Sequence, residues 1–121
     1  MLNATIFALA LAGCPGDAIL TSPVLMVESV TGTFTEGRPG TVKVAVAARY
    51  IGPAATFHFN AEGVVDGLPY DIGAFGAIDI DSHGTGSGTL ILMGTPARAG
   101  AADVSITIRG ISESFQLTID H

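Results

Sequence analysis

The sequence contains no tryptophan and one cysteine, Cys14. A single cysteine cannot close an intrachain disulfide, so pairing says nothing about redox compartment. Without tryptophan and a cysteine pair, an antibody-type domain is excluded. Lys and Arg total 5 against 11 Asp and Glu, for a net charge of −6, and the five cations, Arg38, Lys43, Arg49, Arg98 and Arg109, are scattered. Phosphate binding needs clustered cations, so nucleic-acid binding is excluded. Charged residues make up only 13%, where roughly a quarter is ordinary for a soluble domain. Either outer surface is covered by neighbouring subunits or a membrane, or the chain is an Ala/Gly/Thr-rich domain with a bare surface. Hydrophobic residues reach 48%, which is not the composition of a disordered chain. At 121 residues the chain is long enough for one domain with one core.

What is present is alternation. In the stretch 88–120, Leu90 and Leu92 alternate with Ile91 and Met93, and Gly94-Thr95-Pro96 breaks the run. Val104, Ile106 and Ile108 alternate with Ser105, Thr107 and Arg109; after Gly110, Phe115, Leu117 and Ile119 alternate with Gln116, Thr118 and Asp120. A period of two, rich in β-branched and aromatic residues, is the pattern of a half-buried strand. Upstream, Val42, Val44, Val46 and Ala48 form an inner face with Lys43 and Arg49 facing out. Further strands are expected at 24–30, continuing or bending through 31–35, at 55–60 and at 77–81. Residues 61–76, with Gly63, Gly67, Pro69, Gly73 and Gly76, read as a long connection with a short edge strand at Val64-Val65. The expectation is an all-β chain: an Ig-like antiparallel β-sandwich of seven to nine strands over 24–121, behind an N-terminal apolar arm or strand over 1–23.

The run Gly94-Thr95-Pro96, then Ala99-Gly100, an alternating strand and a final Phe-x-Leu-x-Ile strand resembles the Ig-like domains of bacterial and phage surface proteins. Gly67-Leu68-Pro69 and Ile80-Asp81-Ser82 stand where such domains carry related elements. The resemblance covers about residues 65–120. It implies a cadherin- or fibronectin-like sandwich and a surface role, and it is turn-driven, so it speaks to fold more than to function.

The segment 1–14 carries two readings. Leu11-Ala12-Gly13-Cys14 fits a bacterial lipobox, which would lipidate Cys14, with Ala4–Ala12 as the apolar region. There is no Lys or Arg before Arg38 to supply the positive leader. Alternatively Thr5, Phe7, Leu9 and Leu11 share one face of an extended arm, with small residues mostly behind. The run is too short for a transmembrane span.

Asp79, Asp81 and His83 form the one tight cluster of ligand types, on one face of a strand with Ile78 and Ile80 inward. Oxygen-rich loop ends can hold Ca²⁺, but no repeated Asp/Asn accompanies them, and a solvated outer face is the plainer reading. No nucleophile elbow, His-Glu-x-x-His or phosphate loop is present. The expectation is therefore not an enzyme, with no cofactor. Tyr50, Ile51, Tyr70 and Phe75 are candidates for an aromatic contact patch, against the plainer reading of core packing. Tyr50, Tyr70 and Phe75, together with Phe7, Leu9 and Leu11, make the candidate interface of an oligomeric structural subunit. Such a subunit would be a virion decoration (cement), tail or appendage protein whose partners are proteins of the same assembly. The alternative is an outer-membrane lipoprotein with one adhesion domain.

Overall fold

A computed structural model describes residues 22–121. Nine strands follow one another: β1 Val24–Thr35, β2 Gly40–Arg49, β3 Ala55–His58, β4 Val65–Asp66, β5 Ile72–Phe75, β6 Ala77–Ile80, β7 Gly86–Gly94, β8 Gly100–Ile108 and β9 Ile111–Asp120. The described chain is all-β, as the alternation predicts. The strands join in one curled sheet in the order β3-β6-β7-β2-β1-β9-β8-β4, with β5 added beside β7.

The inward rows are the alternating residues. Val42, Val44 and Val46 on β2, Leu90 and Leu92 on β7, and Val104, Ile106 and Ile108 on β8 are buried in one cluster with Phe34, Phe59, Leu117 and Ile119. Each such side chain contributes about 1.5–3 kcal/mol on leaving water. Curling lets the inner faces of β2 and β7 meet those of β8 and β9, so a single sheet encloses a core.

β7 has partners along both of its sides. β2 lies along one side of it, pairing Gly40 with Gly94 through to Ala48 with Gly86. On the other side β6 pairs over Gly86–Gly88 and β5 over Ile91–Gly94. A Cβ at Gly88 would stand 2.2 Å from the Ala77 carbonyl oxygen. The glycines of this strand thus answer to close backbone approach, not to loop flexibility. β5 falls where the sequence reads as a connection, and Gly86–Gly88 form the start of β7. The expected short edge strand is found at Val65–Asp66.

β1 runs through the whole of 24–35 as one strand. It pairs antiparallel with β2, with a register break between Val27 and Ser29 that leaves Glu28 as the extra residue of a bulge. Its end turns to the other half of the sheet: Phe34 and Thr35 pair in parallel with Ile119 and Asp120 of β9. The remaining length of β9 pairs only with β8 among the described residues. No helix of the described residues is long and apolar enough to cross a membrane.

Candidate functional site: an apolar end of the sheet

The end of the sheet where Ile72, Gly94 and Gly40 stand abreast gathers three connections. Pro96, buried, anchors the β7–β8 connection, and its carbonyl accepts the Gly37 N–H at 2.8 Å. The Asp120 carbonyl accepts the Glu36 N–H at 2.8 Å. Asp71, just before β5, accepts the Ala97 N–H on Oδ2 at 2.8 Å. Its Oδ1 is buried with no partner among the described residues. These bonds hold otherwise irregular backbone in place, because each polar group taken from water needs a partner.

On this frame stand large apolar side chains that the core does not use. Tyr70 is 95% exposed, Phe75 47% and Met93 49%. Met93 is in register with Gly73 on one side and Thr41 on the other, and the Phe75 ring lies against Gly73, 3.2 Å from where a Cβ would sit. A shallow depression of about 440 Å³ runs among Pro39, Thr41, Gly73, Phe75, Met93 and Thr95, and none of the residues lining it is charged. A second of about 440 Å³ lies among Pro69, Tyr70, Asp71, Arg98 and Ile119, floored by small residues of 97–102. Neither lining contains His, Cys, Lys or Ser. The end offers apolar contact area with one carboxylate, Asp71, and one guanidinium, Arg98, at its margin. It holds no nucleophile–base pair.

The expected aromatic patch is split. Tyr50 lies at the opposite end, next to the β2 residue Arg49, and Ile51 is buried. There the backbone turns at Tyr50 with φ 57°, and the Ile51 N–H reaches the Gly84 carbonyl at 3.1 Å. The same end is tied by a residue the sequence reading did not single out. Arg109 occupies the two-residue turn between β8 and β9 with φ 50°, followed by Gly110 with φ 82°. Two positive values in succession make a type I′ hairpin turn. The Arg109 side chain leaves this turn to donate from Nη1 to the Pro53 carbonyl at 2.7 Å, and more weakly to the Ile51 carbonyl at 3.4 Å. Its Cζ lies 5.0 Å from the Phe57 ring centroid.

Asp79, Asp81 and His83 are exposed, while Ile78 and Ile80 are buried, as the strand parity predicts. The carboxylates are already engaged. Asp79 accepts the Thr56 hydroxyl at 2.6 Å. Asp81 accepts the His83 N–H at 2.8 Å and the Thr85 N–H at 3.0 Å, closing the turn into β7. Those two backbone donors, Thr85 foremost, hold the Asp81 carboxyl below its usual value. No group of three or more His, Cys, Asp or Glu side chains suited to a metal ion occurs among the described residues. Phe7, Leu9, Leu11 and Cys14 lie outside the described residues. Comparison with protein-family models, with curated proteins and with solved structures finds no match.

Proposed function

We propose that this chain is a non-enzymatic structural subunit of a larger assembly, a virion decoration (cement), tail or appendage protein built on an Ig-like sandwich. Its partners are protein subunits of the same assembly, and its place is the virion or an extracellular surface. The observation that carries the reading is the uncharged depression with Phe75 and Met93 half exposed on its rim, and Tyr70 almost wholly exposed at the same end. A few residues carry most of the energy at protein contacts, and tyrosine is enriched among them. Apolar area contributes about 25 cal/mol per Å² before association costs. The test is sedimentation of the full chain, alone over a range of concentrations and with the particle fraction of its native source. Self-association or co-sedimentation that Tyr70→Ser with Phe75→Ser abolishes supports the reading. A monomer throughout, with nothing in the particle fraction, removes it.

A second reading, a surface lipoprotein carrying one adhesion domain, rests on Leu11-Ala12-Gly13-Cys14. The intact mass from the native source separates the two, since lipidation requires a chain that begins at an acylated Cys14.

A further inference from the structure

The long edge of the sheet is β1, and its far side is open. Beyond Phe34 and Thr35, residues Val24–Thr33 have β2 as their ladder partner and no second strand among the described residues. β9 is open likewise along Ile111–Thr118. The two edges therefore form a seam, closed where Phe34 meets Ile119 and open toward Val24 and Ile111. The seam is mostly apolar on its inner side, with Glu113 of β9 the one acid in its inward rows, in register with buried Ile106. Along β1 the inward row runs from Leu25, 5% exposed, through half-buried Val27 to Val30, 45% exposed, and back to Phe34, 0%. Val30 is opposite Val44, which is fully buried, so its exposure marks an uncovered stretch of core. Ile111 and Phe115 are only partly buried on the β9 side.

We infer that this seam accepts an added strand, and that its occupant is the apolar segment 4–12 of the same molecule. Three observations select it. The chain enters the sheet at Val24, at the seam's open mouth, so what precedes Val24 starts beside the edge. An extended nine-residue segment reaches about 30 Å, matching the open length of β1, and alternates Thr5, Phe7, Leu9 and Leu11 against smaller residues. These can cover Val27, Val30 and Phe115. The third is charge. Glu28 and Glu113 stand at the seam, and the segment 1–16 carries no charged side chain. A second copy laid edge to edge would bring its own Glu28 and Glu113 there, and like charges across strands repel. Attachment through residues 13–23 also gives the segment a high local concentration. This inference stands apart from the proposed function, because it concerns a different face and does not involve Tyr70 or Phe75.

The test is amide hydrogen exchange across Leu25–Val30 in the full chain and in the full chain carrying Phe7→Asp and Leu9→Asp, with a chain lacking residues 1–13 alongside. Exchange in the unsubstituted chain should be slower by about tenfold or more, independent of protein concentration, and the doubly substituted chain should lose that protection. The substituted full chain decides the matter even where the truncated one does not fold. Equal exchange in the two full chains overturns the inference. Protection that appears only as a dimer forms assigns the edge to a second copy and overturns it as well. So does a native chain that begins at Cys14.

Discussion

Removing the Arg109 side chain should unfasten the Tyr50 end of the sheet, and the cost can be worked from its contacts. The Nη1 bond to the Pro53 carbonyl, 2.7 Å long and largely exposed, stands at the low end of charge-assisted bonds, about 1.5 kcal/mol. The guanidinium over Phe57 at 5.0 Å adds about 0.5–1 kcal/mol. The bond to Ile51 at 3.4 Å is too long to add much. Arg109→Ala should therefore cost about 2 kcal/mol, which in a domain of this size lowers Tm by about 10 °C. Arg109→Gly loses the same contacts but relieves the left-handed backbone, which costs an L-residue about 1–2 kcal/mol. It should fall roughly midway between Arg109→Ala and the unsubstituted chain. Arg109→Lys keeps the charge without the planar fork and should also be intermediate. Gly52 supplies an internal check, since a Cβ there would stand 2.6 Å from Nη1. Gly52→Ala should cost less in the Arg109→Ala background than alone. Thermal and urea unfolding of this set measures all of it. An Arg109→Ala chain as stable as the unsubstituted one refutes the reasoning. So does equal stability of the Ala and Gly variants.

Gly88→Ala should destabilise by about 1–3 kcal/mol, because the methyl meets backbone of β6 that no rotamer change can clear; urea midpoints report it. Leu90→Ala, at a fully buried position, should cost about 2–5 kcal/mol by the same measurement. Tyr70→Ser should leave Tm nearly unchanged, since the ring is 95% exposed, while weakening any self-association seen by sedimentation. Asp81, whose folded pKa is depressed, contributes stability that is present above the ordinary carboxylate pKa of about 4 and fades as pH falls through the lower folded value. The stability gap between the native chain and Asp81→Asn should therefore shrink on acidification from about pH 6 to about pH 2, as read from urea titrations at each pH.

The inner faces of β2, β7 and β8 were legible in the sequence because each alternates into a buried row, and β9 likewise at Leu117 and Ile119. β5 was not. Its cue, Ile72 and Ala74 two apart, is surrounded by Pro69, Gly73 and Gly76, which read as turn residues, and its pairing comes from β7 far along the chain. The bulge at Glu28 reverses the parity of β1, so that Val30 joins the inward side held before it by Leu25 and Val27. Such a slip is invisible to periodicity, because both registers alternate equally well. The apolar end was half legible. Tyr70 and Phe75 stood out as surplus aromatics, but composition cannot say that Tyr50 goes to the other end, and Met93 reads as one more strand residue. Arg109 was hidden for a physical reason. Asn or Asp is usual before the glycine of a type I′ turn, and an arginine is held there by partners on the Ile51–Phe57 segment.

The parallel pairing of Phe34 and Thr35 with Ile119 and Asp120 has a mechanical consequence. Tension drawn between the start of β1 and the end of β9 pulls these two strands along their own length in opposite directions. The joining bonds then carry load together, in shear, and do not peel one after another. The backbone bond from Glu36 to Asp120 sits beside them and shares that load. A domain fastened in this way yields abruptly, when this short clasp gives way.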